Sequence, residues 1–324
     1  MIKMELPDRI PFDAALPMTA ALMDQTLLQS DELIAEMMRH LTASGGKNFR
    51  SSLLLAAAAD EEGTVPKEAV VTAAALEILH RATLVHDDVI DDAETRRGMQ
   101  SVQRRFGKKA AVICGDYLFC KCFLLTADLS KQYQNKFMDI ARGMSKICMG
   151  ELRQYRHNRD ISLSVRGYLR IIAGKTSALF ALAMYAGGVL GGGAEKEARL
   201  LARLGYYIGL IFQLEDDCID YRSSLTTAKK NVQHDLSDGV VTLPLIFALA
   251  KKPEIRDEIR DFNLSPDECR AVIAEVCGIG GVDMTLDVVG RYYEKARKLL
   301  GRVAGEKKRL LLRSTLETIK IRKY

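Results

Sequence analysis

Apolar residues recur at helical spacing along most of the chain. The clearest early stripe lies within residues 19–41, at positions Leu22, Leu27, Leu28, Ile34, Met37, Met38 and Leu41. Residues three or four apart share one face of a helix, so this stripe predicts a helix that packs against a core. The long segments between residues 131 and 221 show no alternation of apolar and polar positions, which gives a β-sheet little support. The pattern therefore predicts an all-α protein.

Glycine, proline and polar clusters divide the chain into further helices. After a proline-containing arm over residues 1–18, we predict helices over 19–41, 51–59, from 67 into an aspartate-rich stretch, 98–107, 110–129, 131–158, 162–190, 194–221, 240–251 and 253–262. Residues 265–268 (SPDE) form a capping box with proline at the first helical position, and two more helices follow. Residues 226–239 are polar and patternless, which predicts a loop. Because no repeat or long linker interrupts the chain, we expect one domain over residues 1–324.

Composition restricts the class of protein but does not indicate a function. Hydrophobic residues make up 48% of the chain and charged residues 27%, as in ordinary soluble globular proteins, so a disordered chain is excluded. The net charge of +5 comes largely from the basic carboxyl end. Such a patch suits nucleic acid, an anionic lipid surface or a phosphorylated substrate. The excess is too small to choose among them; we expect no nucleic-acid partner and at most peripheral membrane contact.

Cysteine usage and the apolar segments indicate a cytoplasmic protein. The seven cysteines include no CxxC pair and lie in apolar helical patterns, which favours reduced core residues over disulfides or zinc ligands. The amino terminus lacks the apolar core of a signal peptide. Residues 177–194 are uncharged, but five glycines in the stretch AGGVLGGGA suit a helix end better than a lipid-facing helix. We therefore predict a buried core helix there.

The first candidate for chemistry is the stretch HRATLVHDDVIDDAETRRG, residues 80–98. In a helix, Asp87 and Asp91 lie one turn apart, and the like charges repel by about 0.2–0.5 kcal/mol. A cation would offset that cost, and Mg²⁺ is typically held by one or two carboxylates together with substrate phosphates. With Arg96 and Arg97 close behind, the stretch suggests a metal-bridged diphosphate. The alternative is a solvated acidic helix end.

A second acidic cluster separates these two interpretations. Asp216, Asp217 and Asp220, in FQLEDDCIDY, repeat the spacing of the first cluster, and both clusters are embedded in apolar sequence. Burial of unpaired carboxylates is too costly to be incidental. The repeated spacing therefore favours a shared metal–diphosphate site.

At these motifs the chain resembles the trans-type polyprenyl diphosphate synthases. The matching segments are GGKNFR, DDVIDD, RRG, GDYLF, GKTSALF, FQLEDDCID and DLSDGVVTLPL, in the order that the family shows them. The resemblance implies an all-α barrel of antiparallel helices around a deep central cavity, usually in a homodimer. It implies Mg²⁺-assisted condensation of isopentenyl diphosphate with an allylic diphosphate of the geranyl or farnesyl type.

The resemblance also assigns roles to residues. It implies that three Mg²⁺ ions are held, with substrate bound, by Asp87, Asp88, Asp91, Asp216, Asp217 and Asp220. The allylic diphosphate would bind Arg96, Lys175, Thr176, Gln213 and Lys230, and the isopentenyl diphosphate would bind Lys47, Arg50, His80 and Arg97. The groups expected to be catalytic are Asp87, Asp88, Asp91, Lys175, Asp216 and Asp217. No side-chain base is expected, because the released diphosphate takes the proton.

Each assignment has a simpler alternative. Without the resemblance, Lys47 and Arg50 would be surface residues, His80 a satisfied buried histidine, and Lys175 a lysine that reaches from apolar surface to water. Glu151 and Gln154, in GELRQ, either support the site or lie on a helix surface.

Some positions depart from the family pattern. Ser51 stands where a proline usually follows GGKxxR, and Lys229 and Gln233 stand where the family has glycines. Val240 replaces a lysine of the loop expected to close over the diphosphate, so loop closure has one cation fewer.

Product length is expected to depend on Ala82 and Thr83, the positions five and four before Asp87. Both are small, which predicts an open tunnel and a product longer than geranylgeranyl diphosphate. The alternatives are a short-chain farnesyl or geranylgeranyl synthase and, in a different class, a non-catalytic subunit of a heteromeric synthase. The latter predicts eroded aspartates, and a terpene cyclase usually has a mixed second metal motif; neither matches the two intact aspartate clusters.

Overall fold

Helices dominate a computed structural model of the chain, which describes residues 5–28, 31–43, 48–127, 129, 134–226, 236 and 238–320. The helices are α1 (Phe12–Leu28), α2 (Glu32–Ala43), α3 (Phe49–Ala58), α4 (Lys67–Ile90), α5 (Val102–Phe106), α6 (Lys108–Ala127), α7 (Gln134–His157), α8 (Val165–Ile172), α9 (Ala178–Leu190), α10 (Glu195–Thr226), α11 (Leu243–Lys251), α12 (Ile255–Glu258), α13 (Pro266–Gly278), α14 (Gly281–Leu300) and α15 (Glu306–Lys320). The strands are β1 (Arg9–Pro11), β2 (Thr64–Pro66), β3 (Thr95–Arg96) and β4 (Met99–Gln100). The prediction of an all-α protein is confirmed.

The chain divides into two compact units, which are described separately. The first unit contains residues 1–139, 183–201 and 303–324, and the second contains residues 140–182 and 202–302. The prediction of a single domain over the whole chain stays a prediction.

In the first unit, α4 is the central helix and packs chiefly against α6, with further contacts to α1 and α3. Its inward face is lined by small and branched residues, among them Val70, Ala74 and Ile78, which are fully buried. Small side chains permit neighbouring helices to approach closely, and burial of the aliphatic groups stabilises the contact by the hydrophobic effect. The antiparallel pair β1–β2 sets Ile10 opposite Val65 and ties the amino-terminal segment to this core.

In the second unit, α11 packs against α14, and α13 contacts both. A Cβ atom on Gly281 would lie 2.5 Å from the Pro244 carbonyl oxygen, so a glycine permits this close approach of α14 to α11. The capping box predicted at the start of α13 is present. The Ser265 N–H donates to Glu268 Oε2 at 2.8 Å, and the Ser265 hydroxyl accepts from the Glu268 N–H at 3.3 Å.

Several predicted boundaries differ from the structure. The first helix begins at Phe12, inside the expected arm, and contains Pro17, although proline normally disfavours a helix interior. The helix predicted over 162–190 is divided by a π-helical turn at Ala173–Ser177, called the π turn below. Only Ile255–Glu258 is helical within the predicted 253–262 helix. The predicted loop at 226–239 lies largely outside the described residues.

The apolar helices are packed to different degrees. By length and composition alone, Lys67–Ile90, Lys108–Ala127 and Val165–Leu190 are long and apolar enough to cross a membrane. Within the segment predicted as a core helix, Phe180 and Met184 are fully buried in the protein. By contrast, only 33% of the apolar window of α6 is buried.

All seven cysteines are free thiols, but the prediction that they are core residues is wrong for Cys120 and Cys148, which are exposed. Burial raises the pKa of the Cys114, Cys122 and Cys218 thiols to about 12, so these groups stay protonated and unreactive at neutral pH.

Candidate active site

The first aspartate motif lies where α4 ends. Asp87 is half-buried, Asp91 is exposed and caps the helix, and the Asp91 N–H donates to the Asp87 carbonyl oxygen at 2.8 Å. Asp88 is different, since only 2% of its surface is exposed. Its Oδ1 atom accepts hydrogen bonds from Nε and Nη2 of Arg96, both at 2.6 Å. The middle aspartate of this motif therefore forms a buried ion pair, whereas Asp87 is only half-buried and Asp91 is exposed.

A tight hairpin returns Arg96 to Asp88. Strands β3 and β4 pair antiparallel, with Arg96 opposite Met99, and only Arg97 and Gly98 connect them. Their φ values of 52° and 80° are both positive, as in a type I′ turn. A positive φ is readily adopted by glycine and is costly for arginine. The RRG segment is thus a turn that places its first arginine against the buried carboxylate.

Cations converge on His80, which precedes the first motif by about two helical turns of α4. Arg50 Nη1 lies 3.0 Å from His80 Nε2. Burial, together with the charges of Arg50, Arg97, Arg96 and Arg81, lowers the pKa of His80 well below its usual value. The ring is therefore neutral at pH 7. Because a guanidinium only donates, Nε2 accepts and the ring proton is assigned to Nδ1.

The hydrogen bonds of Ser51 explain why a serine stands where the family usually has a proline. The Ser51 backbone N–H donates to Oε1 of the buried Glu77 at 3.1 Å, and its hydroxyl donates to the Asn48 carbonyl oxygen at 2.8 Å. A proline at this position has no N–H to donate. The serine therefore supplies a hydrogen bond to a carboxylate that is buried beside the His80 cluster.

The second aspartate motif lies on α10, in the second unit. Asp216 and Asp220 are half-buried, and Asp217 is 3% exposed. The hydroxyl of Tyr168 on α8 donates to Asp217 Oδ2, and Gln213 Nε2 donates to Asp217 Oδ1 at 3.1 Å. The middle aspartate is again buried and bonded by protein donors.

The π turn presents two of the predicted residues. Thr176 Oγ1 donates to Gln213 Oε1 at 2.7 Å, and Lys175 Nζ lies 3.1 Å from Glu151 Oε2. The ion pair joins Glu151 to the lysine that the resemblance assigns to the allylic diphosphate. Single π turns occur frequently at functional sites, because the extra residue redirects side chains.

Two glycines allow α7 to touch the π turn. A Cβ atom on Gly150 would lie 2.2 Å from the Lys175 backbone nitrogen, and one on Gly174 would lie 2.8 Å from the Gly150 Cα atom. No real Cβ fits at the first distance without movement of backbone. The close approach of α7 therefore fixes the position of the Lys175 backbone.

The structure brings together the predicted residues of each unit. In the first unit Arg50 contacts His80, and Arg96 contacts Asp88. In the second unit hydrogen bonds link Thr176, Gln213 and Asp217. Ala82 is fully buried, and Thr83 donates to the His80 carbonyl oxygen at 2.8 Å. Lys47 and Lys230 lie outside the described residues.

The sequence prediction did not include Glu77, Arg81, Tyr168, Gly150 or Gly174. For Tyr168 the sequence offers no signal, since a single tyrosine in a short amphipathic helix is typical of a core residue. The two glycines lie in the segments GELRQ and GKTSALF. Neither segment indicates from its sequence that the two glycines are in contact.

The donor set suits Mg²⁺. Within the described part of the chain, no three histidine, cysteine or acidic side chains converge to enclose a metal. Magnesium does not require such a cage, because it keeps several waters and takes one or two carboxylates together with phosphate oxygens. Two partly exposed carboxylates one helical turn apart, as at Asp87 and Asp91, or at Asp216 and Asp220, match that demand.

Comparison with known proteins gives the family. Residues 31–279 match the sequence profile of the family described as Polyprenyl synthetase. A heptaprenyl diphosphate synthase component 2 from Bacillus subtilis is 29% identical over 93% of this chain and 86% of its own length. A nonaprenyl diphosphate synthase from Mycobacterium tuberculosis is 32% identical over 85% of this chain and 83% of its own.

A solved structure agrees with the sequence relatives. A polyprenyl synthase from Caulobacter crescentus, complexed with calcium and isoprenyl diphosphate, is 31% identical and superposes with a TM-score of 0.87 over 96% of each chain. The chain therefore belongs to the polyprenyl synthetase family. The predictions of this family and of a prenyltransferase are confirmed.

Gly150→Ala tests whether the close contact at the π turn matters for catalysis. The added Cβ forces α7 or the π turn to move, which displaces Lys175. We expect the prenyl-transfer rate to fall by about tenfold or more, equivalent to about 1.4 kcal/mol in the activation barrier. The matched control is Gly278→Ala, because a Cβ there meets nothing within 4 Å. Equal rates for the two variants would contradict the role of this contact.

Proposed function

We propose that the protein condenses isopentenyl diphosphate with an allylic diphosphate of the geranyl or farnesyl type and releases a longer all-trans polyprenyl diphosphate. The observation that carries this proposal is the shared construction of the two aspartate motifs. In each, the outer carboxylates are partly exposed one helical turn apart, and the middle carboxylate is buried in protein hydrogen bonds. A solvated acidic helix end does not require such support. The calcium and isoprenyl diphosphate named for the Caulobacter crescentus protein support the same chemistry.

Asp87, Asp91, Asp216 and Asp220 would hold Mg²⁺, with three ions expected in the substrate complex. Bound Mg²⁺ supplies charge neutralisation for the diphosphate that departs when the allylic carbon–oxygen bond breaks. In this proposal Asp88 and Asp217 hold their motifs in place.

Lys175 and Arg96 would add fixed positive charge to the departing diphosphate. Lys175 is held beside Glu151, so its ammonium is oriented before substrate arrives. An arginine has five N–H donors, and Arg96 uses those on Nε and Nη2 for Asp88. It therefore has donors to offer a phosphate oxygen as well. Such preorganised charges stabilise the transition state without reorganisation during the reaction.

The cations around His80 would bind the diphosphate of isopentenyl diphosphate. Neutral His80 accepts a hydrogen bond from Arg50 and so orients this guanidinium, while Arg97 extends the positive field. The isopentenyl double bond then attacks the allylic cation, and a new carbon–carbon bond forms. The released diphosphate takes the proton whose loss completes the reaction.

The product would be longer than geranylgeranyl diphosphate. Ala82 and Thr83 lie about one turn before Asp87, and both are small at the positions where, by the resemblance, bulky side chains would stop chain growth. The names of the relatives, heptaprenyl and nonaprenyl diphosphate synthases, agree with a long product. The alternative within the same class is a short-chain synthase.

A heteromeric enzyme is the second candidate assembly. The Bacillus subtilis relative is named component 2, which indicates a further component in that enzyme. Intact aspartate motifs argue that this chain carries the chemistry itself rather than acting as a non-catalytic subunit.

A product assay with the purified chain, geranyl or farnesyl diphosphate as the primer, isopentenyl diphosphate and Mg²⁺ tests the proposal. We expect products longer than geranylgeranyl, and a loss of about a hundredfold or more in rate for Asp87→Asn and Asp216→Asn, since each removes charge aimed at the leaving group. The control is Asp283→Asn, an exposed carboxylate on α14 that pairs with Arg222.

Three outcomes would count against parts of this account. Products that stop at farnesyl or geranylgeranyl would refute the open tunnel, and unchanged rates in both aspartate variants would refute the metal assignment. A chain that forms no product with either primer would refute the proposal that it is an enzyme without a second subunit.

The uncovered face of α6 supports self-association. Ile113 and Leu124 are 62% and 68% exposed, and Val112 and Phe123 are also exposed. Contiguous exposed apolar surface on a soluble protein usually marks an interaction site. We infer that a second copy of the chain covers this face in a cytoplasmic homodimer, with at most peripheral contact to membranes.

Light scattering coupled to size-exclusion chromatography tests this inference. We expect the wild-type chain to be a dimer at micromolar concentration and the double variant Ile113→Glu, Leu124→Glu to be a monomer, because two charges cannot be buried in an apolar interface. Leu310→Glu, at an exposed leucine of α15, is the control and should leave the dimer intact. A monomeric wild-type chain that floats with anionic vesicles would instead assign the face to a membrane.

A further inference from the structure

A buried hydrogen-bond chain holds the second aspartate motif from two sides. Thr176 donates to Gln213, Gln213 donates to Asp217, and Tyr168 donates to the other oxygen of the same carboxylate. Tyr168 and Asp217 are both almost completely buried. The chain thus runs from the π turn, through α10, to α8.

Both oxygens of Asp217 are engaged by protein donors, which fixes the orientation of its carboxylate. A buried carboxylate that loses one donor keeps its desolvation cost without the compensating bond. It therefore has a strong preference for the one arrangement in which both donors are in place. Because Asp217 is rigidly attached to α10, this arrangement also fixes the rotation of the helix about its axis.

That rotation decides where the neighbouring carboxylates point. Asp216 precedes Asp217, and Asp220 lies one turn beyond Asp216, so both project from one face of α10. Gln213 and Asp217, one turn apart, occupy the adjacent face and are bonded to each other. The bonded face therefore sets the direction of the face that would meet a metal.

In the first motif, too, the middle aspartate is held by the protein, but by a different donor. There Asp88 is buried against Arg96, while Asp87 and Asp91 remain partly or fully exposed. In the first unit the donor to the buried aspartate is a charged arginine. In the second unit the donors are a neutral tyrosine hydroxyl and a glutamine amide. Tyrosine hydroxyls usually find a partner when buried, so the bond alone does not establish a role in function. Its partner, the middle aspartate of a metal motif, gives it one.

We propose that Tyr168 is a positioning residue of the active site. Its hydroxyl holds Asp217 and thereby sets the Asp216 and Asp220 carboxylates for Mg²⁺ and the allylic diphosphate. The second arm, through Gln213 and Thr176, links the same carboxylate to the turn that carries Lys175. This inference rests on the proposed function, since it assigns Tyr168 to the metal side of that site.

The test compares Tyr168→Phe with the wild-type chain. Manganese binding in the presence of inorganic diphosphate is measured by electron paramagnetic resonance, and the Mg²⁺ dependence of condensation is measured separately. We expect Mn²⁺ affinity to fall at least about threefold and kcat about tenfold, equivalent to about 1.4 kcal/mol. The KM for isopentenyl diphosphate should stay the same, because the proposed function assigns that substrate to Arg50, His80 and Arg97 and assigns Tyr168 to the metal side.

Tyr185→Phe is the matched control. The Tyr185 hydroxyl also faces a carboxylate, that of Glu195 at 3.3 Å, but on an exposed surface. It should change neither Mn²⁺ binding nor kcat. A Tyr168→Phe variant that melts at a lower temperature but retains wild-type Mn²⁺ affinity and kcat would show a purely structural hydroxyl and overturn the proposal.

A double-mutant cycle with Asp217→Asn gives a second test that tolerates some loss of stability. If Tyr168 acts through Asp217, the effects of the two substitutions on Mn²⁺ affinity are strongly non-additive. Additive effects would refute the proposed route. A wild-type chain that binds no Mn²⁺ with diphosphate and forms no product would refute the proposed function itself, before any variant is compared.

Discussion

The need to satisfy a buried carboxylate organises both aspartate motifs. Removing a carboxylate from water costs several kcal/mol, and loss of one partner of a buried ion pair typically costs about 3–5 kcal/mol. Asp88 meets this constraint with Arg96, and Asp217 meets it with Tyr168 and Gln213. The two solutions differ in charge, yet in each the middle aspartate is buried and its neighbours are partly or fully exposed. Each aspartate triplet thus contains two kinds of residue.

Backbone geometry makes these bonds attainable. In the first unit, the two-residue turn at Arg97 and Gly98 folds the chain back so that Arg96 meets the helix it has just left. In the second unit, an extra residue in the π turn and the Gly150–Gly174 contact bring Lys175 to Glu151 and Thr176 to Gln213. Both devices use positions where a larger side chain or an ordinary helix would not fit. The chemistry therefore depends on local irregularities within a regular helical fold.

Much of the helical framework was predictable because it depends on local signals. The start of α13 followed from its capping box, the start of α4 from the Gly63 and Pro66 that precede it, and the aspartate motifs from their repeated spacing. The π turn was not predictable, because Gly174 lies in an apolar segment whose composition suits an uninterrupted helix. Pro17 likewise sits inside α1 against its own propensity. The roles of Ser51, Tyr168 and Glu77 depend on partners distant in the sequence, so no local pattern could reveal them.

The proposed division of roles is that the outer aspartates of each motif bind metal and the middle ones position them. Crystals grown with Mn²⁺ and inorganic diphosphate test it directly, since anomalous scattering locates the manganese. We expect the manganese to be coordinated by carboxylate oxygens among Asp87, Asp91, Asp216 and Asp220. Asp88 should stay bonded to Arg96, and Asp217 to Tyr168. Manganese coordinated by Asp88 or Asp217, with those protein bonds broken, would contradict it.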